Sequence, residues 1–176
     1  MMYYAEIKDH DIANGPGVRV TLFVSGCTHR CEGCFNEVTW DFNYGDLFDK
    51  DAERKIIAGL EPDYIAGLTL LGGEPLEYTN WKALLPFVRR VKEKYPSKDI
   101  WCYTGYRFEE DIIEKFCKQW NDMKEFLSYI DVLVDGEFIL NRRDISLQFR
   151  GSDNQRIILV QESLRNGKTV LWTEKQ

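Results

Sequence analysis

What this 176-residue chain lacks narrows its reading first. No apolar run is long enough to cross a bilayer, so a soluble protein with no membrane partner is expected. No apolar leader-like segment opens the chain, and its five cysteines are an odd number. A secreted disulfide framework is therefore a poor fit, and a cytoplasmic location is expected. Positive charge is in deficit, with 23 Lys plus Arg against 29 Asp plus Glu and a formal net charge of -6. The basic residues are scattered, not gathered into a patch, which argues against nucleic acid as a main partner. Repeats, low-complexity tracts and linkers are absent too. One domain, residues 1–176, is the natural count for a chain that can bury one substantial core. Aromatic residues are plentiful, including five Trp and nine Tyr, and core filling is their default use.

Hydrophobic periodicity predicts strands and helices in alternation. Val18 to Val24 is a β-branched run that ends at Ser25-Gly26, and Ala52, Ile56 and Leu60 follow later at helical spacing. A short apolar strand, Gly67 to Leu71, stops at Gly72-Gly73. Thr79 or Asn80 can cap a helix with the apolar face Trp81, Leu84, Leu85, Val88, Val91 and Tyr95, its start kinked or shortened by Pro86. Ile100 to Tyr103 is another strand, closed by Thr104-Gly105. Glu109, Glu110 and Asp111 favour a helix N-terminus ahead of Ile112, Ile113, Phe116 and Trp120. Met123, Phe126 and Leu127 continue the helical pattern to a strand at Ile130 to Val134. Two further strands, Arg156 to Val160 and Thr169 to Trp172, are predicted around the turn signal Asn166-Gly167. The stretches 43–64 and 118–129 carry no assignable motif.

Such alternation implies an α/β fold with a mainly parallel sheet, because parallel neighbours need a crossover and the helix supplies it. An open doubly wound sheet and a partial barrel both satisfy it. The unusual residues fall directly after strands: Cys27 to Cys34, Gly72-Gly73-Glu74-Pro75, Thr104-Gly105-Tyr106 and Asp135-Gly136-Glu137. Parallel α/β folds gather the carboxyl ends of their strands on one edge, where ligands bind. These segments are expected to converge on one site.

The chemistry starts from Cys27-x3-Cys31-x2-Cys34. Three close thiolates can hold an iron-sulfur cluster while leaving one of its irons without a protein ligand, because a cluster takes about four. An open iron can bind a small molecule, whereas an electron carrier would need the full set. The competing reading is a structural zinc site completed by His29 or a distant residue. Zinc ribbons show a second paired-cysteine knuckle, which is missing here, and His29 inside so short a loop would strain to reach the same metal. Cys102 and Cys117 read as buried core thiols. Gly72-Gly73 can be a plain strand-to-helix turn; its functional reading is that backbone without side chains lets a ligand approach peptide groups closely.

Together these residues resemble the radical S-adenosylmethionine (SAM) superfamily, in which three cysteines hold a 4Fe-4S cluster and the open iron chelates the methionine end of SAM. Further segments narrow the resemblance: Asn14-Gly15-Pro16-Gly17-Val18-Arg19, Cys31-Glu32-Gly33-Cys34-Phe35-Asn36, Tyr103-Thr104-Gly105-Tyr106, Asp131 to Phe138, Arg150-Gly151-Ser152 and Asn154-Gln155-Arg156. Over nearly the whole chain they are similar to the activating proteins of anaerobic ribonucleoside-triphosphate reductase. The resemblance implies a partial (β/α) barrel of radical SAM type. It implies that a reduced cluster cleaves SAM to a 5'-deoxyadenosyl radical, which then takes a hydrogen from a glycine in the large reductase subunit. Flavodoxin or ferredoxin is the implied electron donor.

Residue roles follow from that resemblance. Cys27, Cys31 and Cys34 would ligate iron; Gly72, Gly73 and Glu74 would lie against the methionine end of SAM, through backbone groups more than the Glu74 carboxylate. Gly33 and Phe35 would lie near the adenosyl end. Thr104 and Asp135 would bind SAM hydroxyls or organise the floor, with ordinary turn capping as the alternative. Arg142 and Arg143 read as solvated surface residues, and Arg150 as a contact for a partner or the SAM carboxylate. Neither His10 nor His29 is given a catalytic role. The rival readings are an activase of another glycyl-radical enzyme, a radical SAM enzyme for a pterin-like small molecule, and a zinc-bound interaction module. A macromolecular substrate demands an open groove lined by the strand-end loops.

Overall fold

The computed structural model describes residues 1–173, in which seven strands form one sheet of order β3-β1-β2-β4-β5-β6-β7. Strands β2 (Val18–Val24), β4 (Ile65–Gly72), β5 (Asp99–Tyr103) and β6 (Val132–Asp135) are neighbours and mutually parallel. The flanking pairs are antiparallel: β1 (Tyr3–Asp11) lies on β2 with β3 (Asp46–Leu47) outside it, and β7 (Arg156–Leu159) lies on β6. The four parallel strands carry the site loops at a common edge, so convergence holds where it matters.

Alternation along these strands divides the core. Val20, Leu22, Leu68, Leu70, Ile100, Cys102 and Leu133 are buried in one cluster with the helix residues Ile56, Trp81, Leu84, Val88, Ile112 and Phe126. The helices are α1 (Lys50–Gly59), α2 (Tyr78–Lys94), a π-helical stretch (Phe108–Phe116) leading into α3 (Cys117–Gln119), and α4 (Asn121–Ser128). The intervening strand residues Trp101, Val132, Val134 and Ile157 form a second cluster with Phe149 and Trp172 packed against it. Trp101 meets both rings edge-on, at 5.6 and 5.5 Å. Among the described residues, no helix is long and apolar enough to cross a membrane.

Several local expectations are corrected. Strand β1 has no counterpart in the periodicity because only Ile7 and Asp11 along it are buried, so no continuous apolar run announces it. Helix α2 starts at Tyr78 without a side-chain cap, and Asn80 instead donates to the carbonyls of Ser25 and Glu74 at 3.0 and 2.9 Å. Pro86 sits inside α2, which continues to Lys94. Burial of Trp81, Leu84, Leu85, Phe87, Val88 and Val91 outweighs the backbone bond that proline forfeits. Trp120 ends the preceding helix and turns the chain into α4. The last pair of strands is not a hairpin: α5 (Val160–Asn166) follows β7, and Gly167, at φ 64°, closes it in the left-handed conformation that glycine tolerates. Thr169 to Trp172 contributes only an isolated bridge, Leu171 to Ile158.

An ionic cluster fastens the β6-β7 end. Arg156 donates to Glu109 at 2.9 and 2.6 Å and to Asp135 at 3.1 and 2.5 Å, and Thr169 also donates to Glu109. The Arg156 hydrogen bonds outweigh burial and push the Glu109 carboxyl down to about 2. Its folded pKa is thus depressed, so its contribution is present above the ordinary value of 4.5 and is lost as pH falls towards 2. Glu109 is 45% exposed, which screens the pair and keeps the effect small. Glu109→Gln is expected to flatten the acid limb of the chain's stability curve within that window, read by denaturant unfolding at stepped pH.

Candidate functional site

A cavity of about 350 Å³ lies at the carboxyl edge of the parallel strands. Its wall includes Cys27, Cys31, Cys34, Phe35, Gly72, Gly73, Glu74 and Thr104, so most of the residues singled out in the sequence share one space. All three loop cysteines are free thiols, part-buried, and Cys102 and Cys117 are buried apart from them. Asn14, Trp40, Leu71, Phe138, Leu147, Phe149 and Arg150 complete much of the lining. Phe35 is 84% exposed and marks the rim where the cavity meets solvent.

Two expected residues do not reach this wall. Gly33, at φ 75°, faces Leu140, whose Cδ1 would lie 2.7 Å from an added Cβ. Asp135 is buried beneath the loops, where it accepts from the Phe108 N–H at 2.9 Å and pairs with Arg156. Its neighbour Gly136 lines the cavity instead. Thr104 does line it, with its Oγ1 accepting from the Tyr106 N–H at 3.0 Å as in an ordinary turn. Arg150 donates to the Gln155 carbonyl at 2.5 Å from the cavity wall, while Arg142 pairs on the surface with Asp153.

The glycines are held where side chains do not fit. Gly72 has φ 108°, and a Cβ there would lie 2.5 Å from the Val24 backbone N and O. At Gly73 it would meet the Gly26 carbonyl at 2.6 Å and that of Thr39 at 2.8 Å. The N–H groups of Gly73 and Glu74 point inward, donating to Val24 and Gly26 at 2.7 and 2.8 Å. Gly72→Ala is expected to destabilise the chain by about 1–3 kcal/mol through forced left-handed backbone. Urea unfolding of the variant checks this.

The residue that sequence reasoning missed is His29. Its Nε2 lies 2.8 Å from Glu74 Oε2, after β4, and its Nδ1 lies 3.0 Å from Glu137 Oε1, after β6. The ring also stands edge-on to Tyr106, 4.4 Å between centroids, and occupies space that a Cβ on Gly105 would invade at 2.7 Å. Burial alone would lower the His29 pKa, but the hydrogen bonds and charges of Glu74 and Glu137 overcome it and push it up to about 9. Both ring nitrogens are spoken for, which leaves none to complete a zinc site. Next to it, the Thr28 N–H and hydroxyl both donate to Glu77 Oε1, at 2.7 and 2.6 Å.

Glu74 is engaged internally by three partners: it accepts from the N–H groups of Leu76 and Gly105, at 2.8 and 2.7 Å, as well as meeting His29. Burial, helped by the charges of Glu74 and Glu77, pushes the Cys27 thiol up to about 11. Burial raises Cys31 as well. A metal centre binding there displaces protons as it binds. Among the described residues, no three His, Cys, Asp or Glu side chains are close enough to share one metal ion. A cluster does not need them to be, since it offers each thiolate its own iron. Soft thiolate donors around a partly apolar cavity fit an iron-sulfur centre.

Comparison with known proteins agrees with this donor set. Residues 13–158 match a family model described as a 4Fe-4S single cluster domain. A relative from Haemophilus influenzae, named anaerobic ribonucleoside-triphosphate reductase-activating protein, is 49% identical over 158 residues, covering 89% of this chain and 97% of its own. Proteins of the same name from Enterobacteria phage T4 and Escherichia coli K12 are 44% and 42% identical, covering 89% and 88% of this chain and 93% and 96% of theirs. The chain belongs to this family of 4Fe-4S activating proteins.

Proposed function

We propose that this protein is the activating enzyme of an anaerobic ribonucleoside-triphosphate reductase. The observation that carries the reading is the placement of three free thiols, Cys27, Cys31 and Cys34, on a cavity whose other wall is Gly72-Gly73. Those thiolates would hold a 4Fe-4S cluster with one iron left for SAM. Held there, a reduced cluster would supply the one electron needed for reductive cleavage of SAM to methionine and a 5'-deoxyadenosyl radical able to take a hydrogen from a glycine α-carbon of the reductase.

The chain's own residues do the rest. With the Gly73 and Glu74 N–H groups turned inward, the Gly72-Gly73 segment has carbonyl oxygens left to offer, and acceptors suit the ammonium group of SAM. The Glu74 carboxylate shapes the loops through its bonds to Leu76, Gly105 and His29, so backbone groups carry more of the ligand contact than it does. Leu71, Phe138, Leu147 and Phe149 keep water from the reacting atoms. Phe35 and Thr104 are the remaining SAM contacts on this reading, and the exposed rim at Phe35 admits the glycine-bearing segment of the large subunit. We read the four parallel strands and their crossovers as a partial barrel of the radical SAM type within one cytoplasmic domain, a reading supported by the parallel order of β2, β4, β5 and β6. The electron donor is a flavodoxin or ferredoxin, and nucleic acid is not a partner.

Reduced protein, SAM and the candidate reductase, mixed without oxygen, should give a glycyl-radical doublet by electron paramagnetic resonance. Formation of 5'-deoxyadenosine without the doublet would reject the partner. Colourless protein carrying one zinc would reject the cluster.

A further inference from the structure

We infer that His29 is a positioning residue, clamped between Glu74 and Glu137, that locks the cysteine loop against the loops after β4, β5 and β6 and so fixes where the cluster's open iron faces SAM. The inference rests on the functional reading above.

The cysteine loop needs such a device. Its backbone makes few bonds of its own: Cys27 N–H to the Trp40 carbonyl at 3.3 Å and Cys34 N–H to that of Cys31 at 3.1 Å. Between the first two cysteines the anchors to other loops run through side chains on at least one side: the Thr28 N–H and hydroxyl both donate to Glu77, and His29 meets Glu74 and Glu137. Of these, His29 alone reaches three of the other strand ends. It bonds Glu74 after β4 and Glu137 after β6, and it packs on Gly105 after β5. Its partner Glu74 also accepts from Gly105, so one ring and one carboxylate join those loops. Imidazole suits the task because its two nitrogens diverge within a rigid plane, so each can meet a different loop at fixed geometry. A position held this way controls the orientation of a bound group without touching it, as do the outer partners of metal ligands.

Glu137 provides the cleaner test, because its side chain is 55% exposed and its removal threatens the fold less than that of His29. In the cluster-free chain, His29→Ala should raise amide hydrogen exchange across residues 27–34 about tenfold or more while leaving the sheet amides unchanged. After anaerobic reconstitution, the SAM concentration that half-completes the change in the reduced-cluster resonance spectrum should rise by about 10–100-fold in His29→Ala and less in Glu137→Ala. Glu137→Gln, which keeps an acceptor, should stay near the parent. If both alanine variants load iron, exchange and answer SAM as the parent does, the positioning role is overturned. If the parent itself takes up no cluster or ignores SAM, the functional reading fails instead.

Discussion

Alanine in place of Cys27, Cys31 or Cys34 is expected to reduce bound iron and sulfide from about four of each per chain to near none, and glycyl-radical formation to background. The reason is denticity. On the proposed function three thiolates would hold the cluster and one iron would be left to SAM, so the loss of any sulfur would leave two anchors with no nearby group to take its place: both His29 nitrogens face carboxylates, and Cys102 and Cys117 are buried elsewhere. The metal-free fold should hardly notice, because these side chains sit in a loop outside both apolar clusters. Iron analysis and circular dichroism on the same sample separate the two effects. A variant that keeps its full iron content and its SAM-dependent radical would refute the ligand assignment.

The second large effect is expected far from the thiols. Arg19, wholly buried, donates to Thr69 Oγ1 at 2.8 Å, to the Leu68 carbonyl at 3.0 Å, to Pro16 at 3.2 Å and to Asp99 at 2.7 Å. Its guanidinium also lies 5.7 Å from the centre of the Trp101 ring. Arg19→Met would strand these acceptors, and breaking a buried pair costs about 3–5 kcal/mol. Asp99 is 39% exposed and can turn to water, so about 3 kcal/mol is expected. That corresponds to a fall in Tm of roughly 6–12 °C for a chain of this size. Lysine should not rescue it, since a single ammonium lacks the fork that meets several acceptors at once. The same substitution should loosen the cavity wall, because Asn14 lines it and accepts from Thr69 at 2.7 Å. A melting point within about 2 °C of the parent would contradict this account.

The central strands and the site were legible in the sequence for a common reason. Val18 to Val24 and Gly67 to Leu71 are largely buried on both faces, so each reads as a short β-branched and apolar run, interrupted only by the buried polar residues Arg19, Thr21 and Thr69, that stops at the glycines beginning a site loop. The thiols were legible by spacing alone. Strand β1 was not, because one buried face of an edge-proximal strand leaves only Ile7 and Asp11 as a signal. The role of Asn166-Gly167 was ambiguous in principle: a left-handed glycine serves a hairpin and a helix end equally well, and tertiary packing of Val160 and Ser163 chose the helix. His29 stayed hidden because its partners lie 45 and 108 residues away. No local pattern encodes contacts that only folding brings together.

The sheet's two margins have a bearing on how the protein behaves in a crowded solution. Strand β3 is two residues long and carries Asp46, and β7 is four residues long with Leu171 bridged across part of its outer side. Neither offers a long flat ribbon of unpaired peptide groups for another chain to zip onto. On the proposed function the hollow stays open to a reductase subunit, and a protein built that way risks sticking to its own copies; here stubby, guarded borders lessen that hazard without sealing the hollow.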